Sequence, residues 1–244
     1  AFLLVEGFLH THSVAKYALN LFIFALISEI PFNLGFRSVL FYRDYQNVFF
    51  TLLLGLLCIQ RISLIQKLLP PALFFFTSAI FFAFIVREVL ISSVLPLLHR
   101  TSDQILTAVV MAAAAIIGVL FAYIYGRKHP DTELLSAAFL SVPIFGAIAD
   151  LLQTNYSAMG VLTIAVMYLF RENRRRAFAM GCVVLTVMSA VEATAFLMLF
   201  PVEAYDGTRG RSVNKYLFYA FYPVHILLLY LAAYSLHFTG FSVR

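Results

Sequence analysis

Long apolar runs separated by short polar clusters alternate along the whole chain. Most runs show neither a clean 3.6-residue stripe nor a two-residue alternation, the pattern of helices surrounded by other helices and by lipid. The polar breaks delimit segments near residues 17–36, 47–60, 72–95, 104–125, 134–152, 157–170, 178–200 and 215–236. Each is read as a membrane-crossing helix, since about 20 apolar residues span the hydrocarbon core. The run over 72–95 carries Arg87 and Glu88, so it is either a tilted span ending at the interface or a span followed by a surface helix. The opening residues, AFLLVEGFLH, start inside an apolar stretch with no initiating Met and no basic leader, and read as the end of a span that begins upstream. The expected fold is all-α: a polytopic transmembrane helical bundle of about eight or nine spans, lacking at least one N-terminal helix. Residues 1–244 then form a single integral membrane domain.

Composition agrees, with 62% hydrophobic residues, 12% charged residues and a mean hydropathy of +0.92 in 244 residues. Such a chain has no room for a soluble catalytic domain beside its spans. Cys58 and Cys182 lie inside apolar runs, so they build neither a disulfide framework nor a cysteine-rich metal site. The net charge of +5 is spread over short clusters between spans, which points to topology and not to nucleic acid. The bias of Lys and Arg favours a cytoplasmic RENRRR turn at 171–176, with the turns around 37–46 and 201–214 on the opposite side.

Ionisable residues within apolar segments cost free energy unless paired or hydrated. Glu6, Glu29, Asp150, Glu192 and His225 are of this kind, and each serves either chemistry or the cross-bonding of helices. Glu192, alone in VMSAVEATAF, reads as the latter. Glu29 sits in ISEIPF, where Pro31 frees the carbonyl of Ile27; this is a polar pocket at an unwound helix end, or a helix end meeting water. Gln46 and Asn47 open the next run and either cap it or face a cavity. KYLFYAFYPVHILLLY places Tyr219, Tyr222 and His225 at three-residue spacing on nearly one helix face. A helix-borne histidine flanked by phenols can exchange a proton with a bound substrate, or simply bond a neighbour. Arg209, Arg211 and Lys215 precede this helix among glycines, a set able to hold a phosphate or to form an ordinary solvated loop. RENRRR reads as a topology anchor or a lipid-headgroup contact.

No phosphate-binding Gly loop, dinucleotide fingerprint or HExxH or CxxC motif occurs. A weak internal echo does: SEIPF then QNVFF, and GAIADLL then TNYSAMG, each an acid followed by an Asn that opens an apolar helix. Inverted repeats of this kind occur in transporters.

In order along the chain, AFLLVEGFLHTHS, FALISEIPFNL, QNVFFTLLLGLL, the stretch from Ile148 to Arg171 and KYLFYAFYPVHILLLY resemble the TraX family. That resemblance implies a multi-pass acetyltransferase of the bacterial inner membrane that uses acetyl-CoA, with a pilin-like amino terminus or another amine as acceptor. Its matching polar positions are Glu6, His10, Glu29, Pro31, Asn47, Arg209, Gly210, Tyr222 and His225. Two departures are visible: the family's upstream helix with an Asp-His pair is absent from this sequence, and Asn155 stands where relatives carry an aspartate. The implied site has His225 as base, Glu29 or Glu6 orienting it, and Asn47 or Tyr222 as hydrogen-bond donor. Arg209, Arg211 or Lys215 would receive the CoA phosphates. Two rival readings use the same residues: a small-solute transporter with a carboxylate and histidine proton relay, and a non-catalytic membrane chaperone of small hydrophobic subunits.

Overall fold

The computed structural model describes residues 1–90, 104–129, 132–204 and 215–236. Within them the chain is helical, and an isolated backbone bridge between Gln46 and Thr154 is the nearest approach to sheet. The helices are α1 (Phe2–His10), α2 (Val14–Arg37), α3 (Val48–Ile65), α4 (Leu73–Val89), α5 (Gln104–Lys128), α6 (Glu133–Leu151), α7 (Ser157–Leu169), α8 (Arg174–Met188), α9 (Leu199–Ala204) and α10 (Lys215–Ser235). Five are long and apolar enough to cross a membrane: α2, α3, α5, α6 and α10. Among the described residues the count thus stands at five of the expected eight or nine spans; α7 has 13 residues, and the run over 178–200 is not one helix.

Side-chain caps set the ends. The Ser13 hydroxyl accepts from the Lys16 N–H to open α2, Asn47 opens α3, and Asn173 accepts from the Arg176 N–H at 3.0 Å to open α8. Ser38 ends α2 in the left-handed region at φ 57° while its N–H reaches the Leu34 carbonyl. Pro31 does not unwind α2 as the sequence suggested, and Pro223 likewise sits inside a continuous helix; α2 and α10 run on through them to Arg37 and Ser235. A freed carbonyl is tolerated inside a packed bundle where a local adjustment can resatisfy it.

The core lies around α3 and α7, where Leu56, Ile59 and Ile62 meet Val161 and Ile164 out of contact with the surroundings. A smaller apolar cluster of Phe74, Ala122 and Phe139 joins α4, α5 and α6. There Gly118 lets the backbones of α4 and α5 touch, since a Cβ would stand 2.6 Å from the Ser78 carbonyl oxygen.

Two hairpins, α2–α3 and α6–α7, turn at the same end of the bundle, where the Gln46 N–H donates to the Gln153 carbonyl at 3.0 Å. In each, an acid of the first helix accepts a backbone N–H from the start of the second. The Glu29 carboxylate takes the Asn47 N–H at 3.1 Å, and the Asp150 carboxylate takes the Ala158 N–H at 2.9 Å. The echo in the sequence is thus a parallel repeat and not an inverted one. Arg87, paired with Glu88, also faces Asp150 at 3.8 Å, one cation between two carboxylates near the end of α4.

The run over 178–200 breaks at Ser189 and folds back as a 3₁₀ segment, Ala190–Met198, followed by α9. Both arms of this re-entrant hairpin pack together, and Arg175 bonds Glu203 at 3.0 Å across its base. Glu203 consequently lies on the RENRRR side, the reverse of the side expected for the turn beginning at 201.

Candidate functional site

The hairpin turns, α10 and the tip of the re-entrant segment bring polar side chains together at one end of the bundle. Asn47 is wholly buried, and every polar atom of its side chain is engaged. Its Oδ1 accepts the Phe49 N–H at 3.0 Å, while Nδ2 donates to the Ala25 carbonyl at 2.8 Å and to Glu29 Oε1 at 2.5 Å. Glu29 Oε2 is within 3.5 Å of the Asn33 amide. The carboxylate is thereby fixed against the start of α3, and Asn47 acts as a clamp with no donor left for a ligand.

Tyr222 stands beside this clamp. Its ring meets Phe49 edge-on at 5.3 Å and its hydroxyl lies against the Val48 N–H, close to Glu29. One helical turn further, His225 is 5.7 Å from the Tyr222 ring centre. His225 Nδ1 is 2.9 Å from the Phe221 carbonyl. A carbonyl only accepts, so Nδ1 carries the proton and Nε2 keeps the lone pair. Tyr222, His225, Asn155, Tyr230, Gly35 and Phe36 line a cavity of about 230 Å³ between α2, α10 and the α6–α7 turn. Gly35 permits its narrow floor, since a Cβ there would come within 2.8 Å of Ile226.

Two phenols that the sequence did not single out stand near Tyr222, behind the cavity lining. Tyr45 donates to Asn155 Oδ1. Burial raises the Tyr45 phenol above its ordinary range, against the opposing pull of Arg37, so it remains a donor at neutral pH. Tyr156 bonds the Glu192 carboxylate at the hairpin tip; burial first, then the Glu192 charge and Tyr45, push its phenol up as well. Glu192, read from sequence as a cross-helix bond, makes such a bond to Tyr156, next to the lining residue Asn155. Both tyrosines occupy the polar breaks flanking Asn47 and Asn155, and that adjacency is the signal that could have found them.

Glu6 is not part of this group. It pairs with Arg174 at 3.4 Å, and the adjacent Phe8 ring packs on Tyr168 at the far end of α7. The 13 residues of α7 separate that end from Asn155, about 20 Å at 1.5 Å per residue. The expected convergence of Glu6 with Glu29, Asn47 and His225 is thus corrected: helix direction puts Glu6 on the opposite face. Arg209 and Arg211 lie outside the described residues, as does the side chain of Lys215, which opens α10.

A curated relative, the probable fimbrial assembly protein FimC, serogroup H1, of Dichelobacter nodosus, is 27% identical over 240 residues, covering 93% of this chain and 75% of that protein. No solved structure matches the chain. The family model for the TraX protein matches residues 1–145, which include α1 to α5 and the Glu29–Asn47 clamp. The chain belongs to the TraX family.

Proposed function

We propose that this multi-pass membrane protein is an acetyltransferase of the bacterial inner membrane, moving acetyl from acetyl-CoA to an amine such as a pilin-like amino terminus. The observation that carries the reading is the Tyr222–His225 wall of the 230 Å³ cavity. Aminolysis of a thioester needs a base for the amine proton and a donor for the oxygen that gains charge. His225 Nε2, with its lone pair free, takes the proton of the attacking nitrogen. The Tyr222 hydroxyl accepts from the Val48 N–H and retains its own proton for the carbonyl oxygen. As the tetrahedral adduct collapses, the C–S bond breaks and the thiolate leaves with the proton returned by the imidazolium. Glu29 and Asn47 do not touch the reacting groups; they hold the start of α3 against Tyr222. The likeness to the Dichelobacter protein, a probable fimbrial assembly protein, supports a pilin-like subunit as acceptor.

The test is transfer from labelled acetyl-CoA in membranes containing the full-length protein, with identification of the labelled product. An acetylated amine is the expected result. Labelled acetyl-CoA left unconsumed, with subunits stabilised nonetheless, would assign the protein to the chaperone class; solute flux without acetylation would make it a transporter.

A further inference from the structure

A second and larger cavity, about 510 Å³, opens on the face opposite the Tyr222–His225 wall, between α1, the turn at 170–175 and α9. Three chain-distant segments aim their polar groups into it. Arg171 is stacked over the Tyr168 ring at 4.3 Å and donates to the Tyr168 carbonyl at 3.0 Å, which holds its guanidinium in one orientation. Arg174 and Arg175 are drawn to the rim by Glu6 and Glu203, and Glu172 also lines the space, so Arg171 is the arginine of the lining that no carboxylate pairs among the described residues. His10 also lines the basin, its Nδ1 held 2.8 Å from the Glu6 carbonyl. The N-terminal end of α8 lines the same space and adds the positive end of its dipole. We propose that this basin binds a phosphate ester at the membrane surface. A planar guanidinium held in place by stacking can give two parallel N–H bonds to a pair of oxygens of a tetrahedral phosphate. The Arg175–Glu203 pair is exchangeable, with side chains 69% and 55% exposed, so an anion can take the place of the carboxylate. Leu9 and Val202 give the basin apolar walls next to its charges, which suits a ligand that is itself part apolar. The phosphate belongs either to a nucleotide thioester carrier or to an anionic lipid headgroup.

This inference does not depend on acetyl transfer, and its test reads binding without turnover. Full-length protein in phosphatidylcholine nanodiscs is titrated with CoA, and retention of phosphatidylglycerol from mixed nanodiscs is followed by native mass spectrometry. Arg171→Gln and Arg175→Gln are compared with the unaltered protein; Arg175 also bonds Glu203 across the base of the hairpin, so a melting curve is taken for both and the Arg171 variant carries the test alone if the second is destabilised. Loss of a charge-assisted contact lowers affinity about tenfold or more. A drop of that size for CoA identifies the carrier as source, and the same drop for phosphatidylglycerol identifies the lipid. If neither ligand binds the unaltered protein, or both variants stay within about twofold of it, the basin is not a phosphate site. Acetyl transfer measured alongside would still stand or fall separately.

Discussion

Replacing Asn47 by alanine removes three hydrogen bonds from a fully buried position, and their sum can be worked from the geometry. The lost cap to the Phe49 N–H costs about 1 kcal/mol. The bonds from Nδ2 to the Ala25 carbonyl and to Glu29 join α3 to α2, and bonds between membrane helices average about 0.6 kcal/mol and reach about 1.7. Asn47→Ala should therefore destabilise the bundle by about 2 to 4 kcal/mol. Unfolding of the detergent-solubilised protein by increasing mole fraction of dodecyl sulfate reads this directly. Asn47→Asp keeps the cap acceptor but sets a second carboxylate against Glu29, so it should be no more stable than the alanine variant, and Glu29→Gln should restore part of the loss. An Asn47→Ala variant within about 1 kcal/mol of the unaltered protein would refute the clamp, as would an Asp variant that unfolds like the original.

His225→Ala should lower acetyl transfer by about 10²- to 10⁴-fold with membrane insertion unchanged, and Tyr222→Phe should cost less; full activity of the alanine variant in labelled acetyl-CoA assays puts the base elsewhere. Tyr45, raised by burial, stabilises the fold in its neutral form. That contribution is complete below the unfolded tyrosine value of about 10 and fades as pH climbs through the higher folded value. The melting-temperature gap between the unaltered protein and Tyr45→Phe should accordingly shrink at alkaline pH, and a gap that widens contradicts the Tyr45–Asn155 bond. Cysteines placed at Phe41 and Glu203, both exposed, should react with an impermeant thiol reagent from opposite sides of the membrane, whereas labelling from one side would overturn the re-entrant hairpin.

The all-helical bundle was legible because apolar run length and the lipid demand for internal hydrogen bonding act locally. Asn47 was legible as a helix opener for the same reason, and Tyr222 with His225 because three-residue spacing fixes a shared helix face. The break at Ser189 was not, since the apolar run continues across it; what folds it back are the Arg175–Glu203 and Tyr156–Glu192 contacts, whose partners lie 28 and 36 residues apart in the chain. Glu6 was misplaced because its identity as an intramembrane acid says nothing of which end of α7 it meets. Tyr45 and Tyr156 were passed over because phenols in a turn look like interface anchors until the two turns are seen to touch.

α10 carries the histidine wall, yet it leans chiefly on α2, with Tyr219 stacked on Phe24 at 5.0 Å and Ile226 over Gly35, while Phe218, Phe221 and Leu228 point away from the bundle. The His225 side of the cavity therefore leans on α2, with a lighter contact to the start of α3, and turns an apolar outer face to lipid. Under the proposed acetyl transfer, a hydrophobic acceptor already dissolved in the bilayer would approach α10 sideways, and its amine would not have to cross open water to reach His225.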